Sequence, residues 1–206
     1  MTRVEWITVG GDRAAWERIG LVVVDGLVPL FGPGLRIEAD AQPVIAGWAM
    51  STTDEPDDRA TLIDGLATAW VAPGPPVLVE HALGAIDVDH VVVSTDSLER
   101  TCEAIAAATG APLKRVREVG PIRQGFHRLG GLIVEVVQRQ GQPAGPASFW
   151  ELVLNVEDLD VAAERLGPEL VSAPKDAVQP GRRIATLREA AGLGLPVALM
   201  TPDPRR

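Results

Sequence analysis

The hydrophobic pattern changes period in a recognisable order. Residues 89–93 read Asp-His-Val-Val-Val, an apolar run of strand length. After them Leu98, Cys102, Ile105 and Ala108 recur at helical spacing on one face. Asp96, with Glu99 three residues on, forms a capping-box-like start for this helix, and Gly110 supplies its stop. Strand-like runs follow at 113–119, 122–129 and 132–138, separated by Gly and Pro. The same order then recurs. A strand at 150–156 enters a helix through the acidic cap Asp158, with Leu159, Ala162, Ala163 and Leu166 inward and Gly167 at its end. Strand-like runs at 169–172, 183–188 and 195–200 complete it. The pattern is βαβββ twice, about fifty residues per copy.

A more diverged third copy is expected at the N-terminus. It comprises a strand at 4–9, a helix opened by Asp12 with Trp16 and Ile19 inward, a stop at Gly20, strands at 21–24, 28–31 and 35–38, and a closing strand at 46–51. Ordinary α+β segmentation produces the same order, so that reading stands beside it. Residues 52–85 are acidic at first, through Asp54-Glu55-Pro56-Asp57-Asp58, and then carry Pro73-Gly74-Pro75-Pro76, the composition of an extended connection. The expected organisation is an α+β chain with a degenerate module at 1–51, a linker at 52–85, a module at 86–139 and its partner module at 148–202.

Composition narrows the partners. Hydrophobic residues make up 46% of the chain and charged residues 23%, enough for a real core. The longest apolar stretch, 19–35, is interrupted by Asp25, Pro29 and the glycines Gly26, Gly32 and Gly34, short of the roughly 20 apolar residues of a bilayer crossing. The chain opens on a strand-like segment without a basic stretch and an apolar stretch after it, so a cytoplasmic address is expected. Cys102 is the single cysteine, which excludes an intrachain disulfide and multi-cysteine metal sites and leaves oxygen and imidazole nitrogen as metal donors. A formal charge of −9 disfavours nucleic acid and anionic membrane surfaces. A small molecule or another protein chain remains. No dinucleotide fingerprint, phosphate-binding loop, Gly-x-Ser-x-Gly elbow or His-Glu-x-x-His occurs.

The segments Ile86-Asp87-Val88-Asp89-His90-Val91-Val92-Val93, Gly125-Phe126-His127-Arg128-Leu129-Gly130-Gly131 and Leu132-Ile133-Val134-Glu135-Val136-Val137 resemble a module of the vicinal oxygen chelate superfamily. That superfamily takes in glyoxalase-like, bleomycin-resistance-like and dihydroxybiphenyl-dioxygenase-like proteins. Pro180-Gly181-Arg182-Arg183-Ile184-Ala185-Thr186-Leu187 and Gly194-Leu195-Pro196-Val197-Ala198-Leu199-Met200 are similar to its partner module. The resemblance covers 86–202 well and 1–51 loosely, and it lies in the order of elements more than in one motif. It implies two modules whose curved sheets enclose a cleft, with divalent-cation ligands on the first and last strand of each. Carried over position by position, those places fall on His90, Glu135 and Glu151, while the fourth falls on Ala198, which cannot ligate. One imidazole and two carboxylates suit Mn²⁺, Fe²⁺, Ni²⁺ or Zn²⁺.

Strand alternation puts His90, Val92 and Ser94 on one face, and Glu135 with Ile133 and Val137 on one face. Glu135 is the candidate catalytic carboxylate, because a charge inside the apolar run 132–137 has to be paired or used. Arg123, His127 and Arg183, with Gln124, are candidate ligand-binding residues for an anionic substrate, or else residues of a solvated strand face. Cys102 reads as packing, and Trp6, Trp48, Trp70 and Trp150 as core or pocket lining. The expected function is a metal-dependent lyase, isomerase or dioxygenase acting on a small oxygenated metabolite. The alternative is a non-catalytic, bleomycin-resistance-like protein that binds a small molecule or antibiotic. A third reading makes the N-terminal unit a homodimerisation module, since an odd number of modules leaves one without an intrachain partner.

Overall fold

The computed structural model describes residues 2–39, 41–52, 59–75, 77 and 79–204, so the acidic run 54–58 and Pro76 lie outside the described residues. The chain is α+β, with two mixed sheets and few helices. The N-terminal part begins with β1 (Arg3–Gly10) and α1 (Arg13–Arg18). Asp12 caps α1 by accepting from the Ala14 amide, and Trp16 is buried beneath it. β2 (Leu27–Val28), β3 (Gly34–Glu38), β4 (Ile45–Ser51), β5 (Arg59–Ile63) and β6 (Leu66–Trp70) follow. They form a six-stranded sheet of order β2-β3-β1-β4-β6-β5.

Its directions correct the expected organisation. β3 runs parallel to β1, β4 runs antiparallel to β1, and β6 runs parallel to β4. Strand β4 therefore opens a fourth, helix-less half-module, β4-β5-β6, instead of closing the third. Residues 59–70, expected within a connection, are its hairpin. Asp64 and Gly65 turn it with φ of 50° and 96°, and Ile63, Leu66 and Trp70 are buried. An Asp-Gly pair between two apolar runs is a strong hairpin signal, and here the acidic and proline-rich flanks obscured it.

The second sheet holds the two full modules. The first is β7 (Ala85–Thr95), α2 (Leu98–Thr109), β8 (Arg115–Val119), β9 (Ile122–Leu129) and β10 (Leu132–Arg139). The second is β11 (Ser148–Val156), α3 (Leu159–Leu166), β12 (Lys175–Asp176), β13 (Arg183–Thr186) and β14 (Val197–Met200). Their order is β12-β13-β14-β11-β7-β10-β9-β8, with β7 and β11 antiparallel at the centre and β10 and β14 each parallel to its module's first strand. The β1/β4 pair repeats this arrangement in the smaller sheet.

Local details differ from expectation in places. Ser97, not Asp96, caps α2, because Asp96 is taken by Arg100 at 2.7 Å. Thr109 is buried where Ala108 was expected inward. The expected strands 21–24 and 169–172 reduce to isolated bridges, Val24 with Leu27 and Val171 with Leu187.

Helices cover one face of the eight-stranded sheet. Val91, Val93, Val134, Val136, Leu152 and Leu154 lie buried on that face, and a Cβ on Gly125 would stand 2.7 Å from Cys102 Sγ of α2. One buried apolar cluster continues from there into the smaller sheet, with Trp48 edge-on to Phe149 at 5.0 Å. Among the described residues the opposite face of the eight-stranded sheet carries no helix. Among the described residues no helix is long and apolar enough to cross a membrane.

Candidate functional site

Strand register decides what this open face presents. Phe126, Glu135, Val92 and Glu151 lie side by side across four strands, and so do Arg128, Ile133, His90, Val153 and Ala198 across five. His90, Glu135 and Glu151 thus share one face, with Ala198 in the same row as His90. His90 Nε2 stands 3.9 Å from Glu135 Oε2, and Gln124 Nε2 donates to Glu135 Oε1 at 2.6 Å. Burial raises the pKa of Glu151; His90 and Arg139 act against that shift, and the neighbouring Glu135 adds to it.

A bulge sets the imidazole. Between the pairs Val153 with His90 and Leu154 with Val88 the register shifts, leaving Asp89 as the extra residue. Simple alternation would send Asp89 to the helix side, but the bulge brings its carboxylate to the face of His90. His90 Nδ1–H donates to Asp89 Oδ2 at 2.8 Å, which leaves Nε2 as the nitrogen turned toward Glu135. The other oxygen, Asp89 Oδ1, accepts from Arg182 Nη2 at 2.9 Å and from Asn155 Nδ2 at 3.2 Å. Arg182 also donates from Nη2 to Asn155 Oδ1 at 2.7 Å and from Nε to the Thr201 carbonyl at 2.8 Å. Asp89 is 0% and Arg182 3% exposed. Burial alone would raise the pKa of Asp89, but the hydrogen bonds from His90 and Arg182 outweigh it and hold this carboxyl well below the usual range.

The three candidate ligand-binding residues lie elsewhere. Arg123 sits on the helix face, bonded to Glu99 of α2 at 2.7 Å and to Glu118 at 3.1 Å. His127 is buried on that same face, its Nδ1–H donating to the Ala111 carbonyl at 3.0 Å. Burial lowers its pKa, and its Nε2 has no partner among the described residues. Arg183 pairs with Asp160 of α3 at 2.5 Å. Arg123 and His127 have the strand parity of Gly125, which faces Cys102. Of the polar group expected around the cleft, Gln124 alone faces it. Asp89, Asn155 and Arg182 were not foreseen, because the bulge that unites them leaves no trace in the alternation. Cys102 is buried as expected, its thiol pushed up to about 11 by burial.

His90 and Glu135 face one another and the second imidazole nitrogen is held by a carboxylate, as in many metal-ligating histidines. Yet among the described residues no three His, Cys, Asp or Glu side chains stand where they could hold one ion. As placed, the expected set does not form a ligand shell. A separate groove of about 690 Å³ opens on the smaller sheet between Thr8, Glu38, Gly47, Leu62 and Thr68, away from His90 and Glu135.

Two antiparallel-joined βαβββ modules, with polar side chains gathered on the face that the helices leave free, define the vicinal oxygen chelate fold, and this chain has it. No family model matches the chain, and no curated protein matches it. Among solved structures it is similar to a mutant of 4-hydroxymandelate synthase from Streptomyces coelicolor, at 14% identity and a TM-score of 0.68, over 99% of this chain and 93% of that one. That likeness takes in both sheets. Methylmalonyl-CoA epimerase from Mycobacterium tuberculosis is 16% identical with a TM-score of 0.49, over 59% of this chain and 91% of that one.

Proposed function

We propose that the open face of the eight-stranded sheet is a small-molecule site and that the protein is a lyase or isomerase of this fold acting on a small oxygenated metabolite. The observation that carries the reading is the oriented pair: His90, set by buried Asp89, with Nε2 facing Glu135 at 3.9 Å. In this reading Glu135 moves a proton and His90, with Nε2 as well as Nδ1 protonated, donates to the substrate oxygen on which negative charge develops. Gln124 keeps Glu135 turned toward His90. A divalent cation would need His90, Glu135 and Glu151 to rearrange around it.

The test is exchange of substrate protons with solvent. Incubated in D₂O with a pool of small oxo and hydroxy acids, the protein is expected to deuterate a carbon next to a carbonyl, with Glu135→Gln slowing this about 10²- to 10⁴-fold. Metal analysis of the purified protein, before and after adding Mn²⁺, Ni²⁺, Fe²⁺ or Zn²⁺, decides on the cation separately. Stoichiometric metal lost in His90→Ala supports it, and metal that never binds removes it. A second reading, non-catalytic sequestration of a small molecule, is favoured by Ala198, which stands in the row of His90 where a fourth ligand would lie and cannot ligate. Binding without exchange or turnover would establish that reading.

A further inference from the structure

We infer that the free edge of β5 pairs antiparallel with β5 of a second copy of this chain, joining the two smaller sheets across a two-fold axis at Thr61. Such a dimer owes nothing to the small-molecule site or to module count, since β1 already pairs with β4.

Among the described residues the smaller sheet ends in β2 and β5, and the larger in β12 and β8. A sheet edge offers unpaired backbone groups to another chain, and proteins guard it with short strands or charged side chains. β2 and β12 are each two residues long. β8 carries Arg115, Arg117 and Glu118 among its five residues. β5 is as long as β8, yet its residues 60–63 read Ala-Thr-Leu-Ile, without a charge. α2 grips this hairpin at its turn, through Asp64, and Ala60 and Leu62 stay exposed beyond it, Leu62 by 72%.

Hairpin geometry fixes which backbone groups face outward. Asp64 and Gly65 form a two-residue turn, so Ile63 and Leu66 exchange backbone bonds, as do Thr61 with Thr68 and Arg59 with Trp70. The N–H and C=O of Ala60 and Leu62 then point away from β6, and among the described residues no hydrogen bond reaches them from elsewhere.

This edge fits a copy of itself. With Thr61 on the axis, Ala60 of each copy lies opposite the partner's Leu62, and each such pair exchanges both backbone bonds. Thr61 faces its own copy, a favourable cross-strand pair. Thr61 Oγ1 accepts from Nε1 of buried Trp70 on the core side of the sheet, which leaves Ala60 and Leu62 on its open side. The groove of about 690 Å³ on that side runs to this edge, with Ala60, Leu62, Ala67 and Ala69 among its lining residues. The partner's Leu62 thus stands beside small side chains, large against small, and is withdrawn from water. A two-fold centred on β8 would instead set Arg117 against Arg117, like charges directly opposite.

Sedimentation of the full chain over a range of concentrations tests this. Five residues make a short pair, so a weak dimer is expected, monomer at about 1 µM and largely dimer at about 1 mM. Leu62→Lys, at a solvent-exposed position, should keep the parent's circular dichroism and raise the dissociation constant by about tenfold or more. Val116→Lys on the β8 edge should leave that constant unchanged. Thr61→Cys reads the register. Across a non-hydrogen-bonded pair the two Cα atoms stand about 4.5 Å apart, within disulfide reach, so mild oxidation should give a covalent dimer that the parent, with Cys102 buried, does not form. A parent that stays monomeric at about 1 mM overturns the inference. A dimer that Leu62→Lys leaves as tight as the parent's, or that Val116→Lys weakens instead, overturns the assignment to β5. Folded Thr61→Cys that dimerises without cross-linking overturns the axis at Thr61.

Discussion

Asp89 has both oxygens engaged inside the protein, by His90 on one side and by Arg182 and Asn155 on the other. Removing one partner of a buried pair strands the other charge, so Arg182→Met is expected to cost about 3–5 kcal/mol in urea unfolding. A cost under about 1 kcal/mol would show the pair to be dispensable. The pH dependence has a definite sign. The folded-state pKa of Asp89 lies below the unfolded value of about 3.9, so its contribution is complete above that value and fades as pH falls through the folded pKa. Asp89→Asn should therefore flatten the stability profile in that acid range. Glu151 behaves in the opposite way. Its folded pKa is raised by burial, so its charge destabilises the fold above that pKa and has no effect below the unfolded value of about 4.3. Glu151→Gln is expected to be more stable than the parent at pH 7 and equal to it near pH 4, by chemical denaturation at each.

At the scale of elements, α2 lies so close to β9 that no side chain fits between them at Gly125. An added Cβ would meet Cys102 Sγ at 2.7 Å and Leu98 and Leu113 at 3.2 Å. Gly125→Ala should cost about 1–3 kcal/mol, and Cys102→Ala in the same chain should recover part of it by removing the sulfur. Additive losses in the double variant would show that the helix moves away instead. The same contact explains why Cys102 is no nucleophile. With its pKa near 11 and its sulfur against β9, thiol labelling at neutral pH should follow unfolding of the module and not precede it. Alternation made much of this element pattern legible: the helix face of β10 and the open-face position of Glu135 follow from parity alone. Arg123 and His127, expected around the cleft or on a solvated strand face, lie on the helix face instead, because the first residue of β9 to touch α2 cannot be read from the strand itself.

For the whole molecule, the β5–β6 turn latches the smaller sheet onto α2. Arg100 Nε binds Asp64 Oδ1 at 2.8 Å, Thr101 Oγ1 donates to Asp64 Oδ2, and the Ala147 amide donates to the Asp64 carbonyl at 2.8 Å. Together with the shared apolar cluster, this predicts one cooperative unfolding transition, with fluorescence and circular dichroism coinciding. Asp64→Ala should lower stability by about 1–3 kcal/mol, and two separated transitions in the parent would refute the joint core. The fourth half-module also removes the reason for expecting association. β1 already has β4 as its antiparallel partner, so the N-terminal unit is not left unpaired.

Period, caps and stops along the chain determined that two βαβββ modules exist and which side of β7 and β10 faces away from the helices. These depend on side chains a few residues apart, and a single strand or helix expresses them. Tertiary structure decided the rest. The bulge at Asp89, the partner Arg182 from 93 residues further on, and the pairing of β4 with β1 join segments distant along the chain, where alternation carries no information. His90 and Glu135 could be placed by pattern, but what orients them, and whether Glu151 closes around the same point, depend on strand register and on the charges that burial brings together.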